Sequence, residues 1–265
     1  ALNQLTQTLD PDKSYTHDAN GNMTSGFTPR GYPFTAAYDG EHRLKTIAYE
    51  DNQDTHKIEY IYNYTGFIAQ IKTYLNNTLT DQVHIIRDGH LALQERNNAN
   101  TITREYTWGL SLGGGIGGLL GMQQDNTPYT YLYDGRGNVS TIYDSNQNLA
   151  AAYRYDAFGK LTAQTGPLDQ PFTFSTKRYN QSTGLNYYGY RFYNPSIGKW
   201  MTQDPIGVAG GINLYGFVLN DPVNWVDPYG LWSFLGIRDM LNIPSFGNEV
   251  QGIMDSTENT INNTM

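Results

Sequence analysis

Two aspartates that each precede a proline, Asp204 and Asp227, stand twenty-three residues apart near the end of a 265-residue chain. Two carboxyl groups held at about 3 Å cannot both ionise easily, so they share a proton. One can then activate water while the other protonates the carbonyl oxygen or the leaving amine, and the pair titrates as a unit. An Asp-Pro pair is also a common turn opener, because proline forces the residue before it out of the α region. On composition alone the two aspartates are turn caps. Asp221, in the intervening Asn-Asp-Pro turn, is the reserve carboxylate.

Other reactive groups are sparse. The chain has no cysteine, which removes disulfides, thiolate zinc sites and a cysteine nucleophile. His17, His42, His56, His84 and His90 follow no metal-ligand spacing, and none lies near a serine motif; they read as surface or strand residues. The oxygen-rich runs 18–22 and 144–148 lack the distal Glu of a calcium loop, so they read as Asx turns. The glycine run from Gly109 to Gly121 lacks the Lys-Ser/Thr ending of a phosphate loop and reads as a crossover between sheet turns. No cofactor or metal is expected. A formal charge of −8 disfavours a phosphate backbone, so no nucleic-acid partner is expected. The apolar run 110–122 falls short of the roughly 20 residues a membrane helix needs, and the first residues lack the pattern of a signal peptide and read as a cut edge.

The positioning elements are repeats. An aromatic, then Asp or Asn, two residues, then Gly recurs at Tyr62-Asn63 with Gly66, Tyr133-Asp134 with Gly137 and Tyr155-Asp156 with Gly159. His17-Asp18 with Gly21 fits with histidine as the aromatic, Tyr38-Asp39 has His42 for the glycine, and Tyr179-Asn180 reaches Gly184 one residue late. The step is 21 to 24 residues, except between Asn63 and Asp134, where two degenerate copies are expected. The phrase describes a turn: the Asx side chain accepts a backbone N–H and glycine takes φ > 0. Alternating rings at Tyr60, Tyr62, Tyr64, at Tyr129, Tyr131, Tyr133, at Tyr153, Tyr155 and at Tyr188, Tyr190, Phe192 predict strands with the rings on one face. The fold class is therefore all-β, a curling antiparallel sheet of hairpin repeats, preferred over a propeller, whose blades need about 40 residues.

From about Tyr15 to Leu231 the chain resembles Rhs and YD-repeat proteins, including the C components of insecticidal toxin complexes. The segment from Tyr187 to Leu231, YYGYRFYNPSIGKWMTQDPIGVAGGINLYGFVLNDPVNWVDPYGL, resembles the Rhs-associated core terminus phrase by phrase. The resemblance implies part of a hollow β-shell that holds a toxic C-terminal domain of its own polypeptide. It implies three parts: a repeat shell over 1–186, the core terminus over 187–231, and over 232–265 the start of a variable toxin or helical cargo. Such shells take several hundred residues to close, so this chain reads as a fragment or a short member.

The resemblance also implies an aspartyl autoprotease, with Asp204 and Asp227 as the pair and the Leu231–Trp232 bond as the cut. Members of that family often carry Arg before the first aspartate, where this chain has Gln203; Arg191 or Lys199 is the candidate to supply the cation from a neighbouring strand. Implied partners are the chain's own toxin segment, the rest of the shell and its plug, and a secretion-system or toxin-complex component, in a secreted or exported bacterial effector. Beyond Leu231, Phe246, Val250, Met254, Thr257 and Ile261 recur at helical spacing and predict a short helical tail. The competing reading is a noncatalytic surface adhesion or carbohydrate-binding protein, for which the aromatic rows would face outward.

Overall fold

A computed structural model describes residues 3–9, 12–109, 113–231 and 235–236. Fourteen strands, from Thr16–His17 to Leu161–Thr165, form one antiparallel sheet in which each strand pairs only with its neighbours in sequence. Burial alternates as a period-two pattern requires: in the strand Pro33–Tyr38, Phe34 and Ala36 are buried while Pro33, Thr35 and Ala37 are exposed. A separate hairpin joins Gln7–Leu9 to Asp12–Ser14.

The repeated phrase builds five of the turns on one side of the sheet. Asp18 Oδ1 accepts the backbone N–H groups of Asn20 and Asn22, and Asp39, Asn63, Asp134 and Asp156 make the same pair of bonds two and four residues on. Gly21, Gly66, Gly137 and Gly159 have φ between +74° and +85°, and His42 takes φ +61° in their place. Asp144 closes its turn in the same way, bonding the N–H groups of Asn146 and Asn148, at the opposite ends of the strands.

The aromatic of the phrase has a task that the turn alone does not explain. A register shift falls immediately before Tyr38, Tyr62, Tyr133 and Tyr155, a bulge that re-aims each side chain. Each phenol then donates across the neighbouring strand to the carbonyl of the residue that leaves the previous turn. Tyr38 reaches Met23 O at 2.8 Å, Tyr62 reaches Leu44 O at 2.7 Å, Tyr155 reaches Val139 O at 2.8 Å, and Tyr133 reaches Leu119 O. The two degenerate copies lie in this ladder. Before the Asp88–Leu91 turn, Arg87 donates to Ile68 O at 2.7 Å; before the glycine crossover, Trp108 donates to Ala92 O at 2.6 Å. The donor is retained while the aromatic and the turn change.

One face of the sheet buries the chain that follows it. Residues 166–231 contain a four-stranded sheet, Arg178–Asn180, Leu185–Tyr187, Phe192–Asn194 and Lys199–Trp200, joined by turns and 3-10 segments. Phe192 meets Tyr60, and Phe172 meets Tyr106 and Trp108. Tyr215 Oη donates to Gly21 O in the first turn, while Thr176 Oγ1 donates to Gly137 O in a late one. The sheet therefore curls around residues 166–231, which occupy the space it encloses in this stretch. The meander ends at Thr165, and strands on both sides of position 187 share the inner sheet.

Tyr60, Tyr106, Tyr131 and Tyr153 are all buried, so the aromatic rows face inward, as a shell requires and an adhesive surface does not. Two expected rows are corrected. Tyr64 is fully exposed because it lies in the Asn63–Phe67 turn, past the end of its strand. Tyr188 and Tyr190 lie in a turn closed by Tyr188 N–H on Arg191 O, so they do not continue a strand into Phe192. Among the described residues the only helical segments are three 3-10 turns, and the expected tail helix lies outside them. No helix among the described residues is long and apolar enough to cross a membrane.

Candidate active site

Three turns bring the candidate residues together. Asp204 opens a turn, accepting Ile206 N–H on Oδ1 at 3.1 Å while its own carbonyl takes Gly207 N–H. Asp227 opens another, its Oδ1 accepting the N–H groups of Tyr229, Gly230 and Leu231 at 3.1, 2.8 and 3.2 Å. Both aspartates open turns, as the sequence predicts. Arg191 leaves the Tyr188–Arg191 turn and lies between the carboxylates: one terminal nitrogen is 2.8 Å from Asp204 Oδ2 and 3.8 Å from Asp227 Oδ2.

The rest of Arg191 is fixed. Its Nε donates to Gly230 O, its other terminal nitrogen donates to Leu214 O at 3.2 Å, and its guanidinium lies 4.2 Å from the centre of the Trp200 ring. Gly230, at φ +74°, leaves no room for a side chain: a Cβ there would stand 2.9 Å from Tyr188 Cβ and 3.2 Å from Arg191 N. Arg191, Asp204 and Asp227 are each no more than 9% exposed. Together they line a cavity of about 150 Å³, closed on its other side by residues 210–220.

Burial dominates the electrostatics. It pushes the Asp227 carboxyl up to about 6, against the opposing pull of Arg191 and the turn N–H groups. It also raises Asp204, again with Arg191 opposing. With both carboxylates ionised, the cluster of two acids and one guanidinium carries a net negative charge. Binding one proton neutralises it, so a singly protonated pair is the favoured buried form. No direct hydrogen bond joins the two carboxyl groups; the guanidinium bridges them, which modifies the proton-sharing contact expected at about 3 Å.

The remaining candidates divide. Leu231 is buried, and its N–H bonds Asp227, which ties the carboxylate to the last described residue before the proposed cut. Trp232 lies outside the described residues. Gln203 points away from the cluster, donating to Asn20 O at 3.2 Å in the first repeat turn. Asp221 caps its own turn, accepting from Asn224, and does not line the cavity. Lys199 pairs with Asn194 in the inner sheet, and Arg191 is the cation at the carboxylates. One residue had no signal in the sequence. Lys177, 6% exposed, donates from Nζ to Gly114 O and to Pro228 O, both at 2.6 Å, and so joins the glycine crossover to the Asp227 turn. Only the folded contact distinguishes it from other lysines.

Comparison with known proteins gives the following. Residues 114–223 match the Teneurin YD-shell family model. The tRNA3(Ser)-specific nuclease WapA of Bacillus spizizenii is 32% identical over 244 residues, covering 89% of this chain and 10% of the relative. Double-stranded DNA deaminase toxin A of Burkholderia cenocepacia is 41% identical over 100 residues, covering 36% of this chain and 7% of the relative. Among solved structures, the TcdB2-TccC3-Cdc42 complex superposes with a TM-score of 0.61 at 19% identity, over 83% of this chain and 13% of that one. The chain thus spans only about a tenth of the length of such relatives.

Proposed function

Since this chain belongs to the YD-repeat shell family of the Rhs type, we propose that it is the terminal stretch of a toxin-enclosing shell and that it cuts its own backbone after Leu231. The observation that carries the catalytic part is the meeting of Asp204 and Asp227 around one buried guanidinium, with Asp227 bonded to the N–H of the residue whose carbonyl is to be attacked.

The ion-paired Asp204 acts as the base, and Asp227, whose carboxyl burial raises further toward neutrality, acts as the acid. Water gives a proton to Asp204 as its oxygen bonds to the Leu231 carbonyl carbon. Asp227 gives its proton to the Trp232 nitrogen as the C–N bond breaks. The products are a Leu231 carboxyl terminus and a Trp232 amine, and one proton has passed from Asp227 to Asp204. The reaction runs once per molecule because the substrate is the chain itself.

The shell part rests on a different kind of support. Relatives named for a tRNA nuclease and for a DNA deaminase both contain sequence like this chain, which suits a common carrier better than the source of either activity. The cargo is then the segment that begins at Trp232, the partners are the rest of the shell and an export or toxin-complex component, and the parent is an exported effector. Severing an enclosed cargo lets it leave without later proteolysis. Asp204→Asn and Asp227→Asn should each leave a single full-length band on a denaturing gel where the unaltered chain gives two pieces; cleavage unchanged in both variants would remove the assignment.

A further inference from the structure

Away from the carboxylate pair, a cavity of about 30 Å³ lies between the glycine crossover and the inner segment. Its walls carry Arg87, His90, Lys177 and Arg178, set among Trp108 and Tyr188, and no Asp or Glu lines it. Arg178 is balanced by its ion pair with the buried Glu95. Arg87 and Lys177 make no ion pair among the described residues. At longer range Glu95 acts on Arg87, Asp88 on His90 and Asp227 on Lys177.

The donors around this space outnumber their acceptors. Arg87 bonds Ile68 O and His90 O, and Lys177 bonds Gly114 O and Pro228 O, which leaves Lys177 a third N–H. Nε2 of His90 and Nε of Arg178 are buried without a hydrogen-bond partner among the described residues. Buried donors left unpaired are costly, and buried cations without a counter-ion more so. A water molecule accepts two bonds but must also place two hydrogens of its own, and it brings no charge to offset the two cations. An anion only accepts.

We propose that this cavity binds a small monovalent anion of halide size, held by Lys177 and Arg87 with His90 Nε2, in its protonated tautomer, and Arg178 Nε completing the shell. The volume suits one small species, and two cations without an ion pair among the described residues favour negative charge. Burial holds Lys177 down at about 7 and Arg87 down at about 10, a penalty that a bound anion relieves. Occupancy keeps Lys177 charged and so keeps its clamp on the Gly114 and Pro228 carbonyls. The site stands apart from the cleavage reading, and its test does not depend on it.

The test uses the intact chain. Thermal unfolding is followed in sodium chloride, sodium bromide and sodium gluconate at matched ionic strength, and crystals soaked in bromide are examined for anomalous scattering. A site of this kind gives a saturable rise in Tm with chloride and bromide but not gluconate, and a bromide peak among Arg87, His90 and Lys177. Lys177→Met should abolish the halide dependence. Should that variant fail to fold, His90→Phe fills the space and keeps the ring contact with Tyr229; it should melt the same in all three salts. Equal melting of the unaltered chain in the three salts, or soaked crystals with only a water at that position, overturns the proposal.

Discussion

The meander and the segment it encloses reach the same end by opposite means. In the meander, regular strands alternate buried and exposed positions, and each turn is tied to the previous one by a single reaching donor. In residues 166–231 the strands are two or three residues long, yet 170–177, 183–188 and 191–195 are buried without interruption. Aromatic contacts among Tyr188, Tyr193, Trp200 and Phe217, together with buried charge, replace the hydrogen-bonded ladder there. Repetition makes the meander tolerant, because each strand pairs only with its neighbours in sequence and the same bonds recur from unit to unit. The inner segment, where the carboxylates sit, has no such redundancy.

Substitutions that touch both regions should therefore cost most. A Cβ at Gly114 would stand 2.0 Å from the backbone oxygen of Pro228, with φ at +54°, so Gly114→Ala should cost more than about 4 kcal/mol in chemical denaturation or prevent folding. Glu95 is fully buried and pairs with Arg104 of the meander and Arg178 of the inner segment. Glu95→Gln should cost about 3 to 5 kcal/mol, because Arg178 loses its ion pair and Arg104 keeps only the exposed Asp169. Those cations hold the Glu95 carboxyl down at about 2, below its usual 4.5. Its contribution is complete above pH 4.5 and is lost as pH falls toward 2, so the variant should unfold with a flatter acid limb.

Within the meander the effects should be smaller. Tyr62→Phe removes one rung and leaves the Leu44 carbonyl without that donor, a cost of about 1 to 3 kcal/mol. Gly66 has φ +84° but no neighbour closer than Arg43 at 4.0 Å. Gly66→Ala should then cost only the backbone strain, about 1 to 2 kcal/mol. Melting curves of the four variants sharpen the contrast if they fall in this order. Tyr62→Phe as damaging as Gly114→Ala would erase it.

The same contrast explains what was legible in the sequence. The turns were, because Asp18, Asp39, Asn63, Asp134 and Asp156 act on backbone no more than four residues away. So was the presence of two hidden copies, from spacing alone. Their identity was not, since Arg87 keeps the donor without a ring and Trp108 exchanges the phenol for an indole, and the target carbonyl lies on another strand. The two Asp-Pro turns could be read locally, but their meeting depends on Arg191, which sits thirteen residues before Asp204 and binds both turns at once. Tyr64 misled because an alternating pattern does not mark where a strand stops. Lys177 was silent because its two acceptors are backbone carbonyls sixty-three and fifty-one residues away.

The most direct test is the intact mass of the refolded chain over time, at several pH values. Scission requires an ionised Asp204 and a protonated Asp227, so the account predicts two tightly associated pieces, parted after Leu231. The rate should fall as pH rises through about 6, where Asp227 loses its proton, and Asp204→Asn or Asp227→Asn should slow it by at least about a hundredfold. A chain that stays whole at every pH, or one that parts there as fast without either carboxylate, would contradict it.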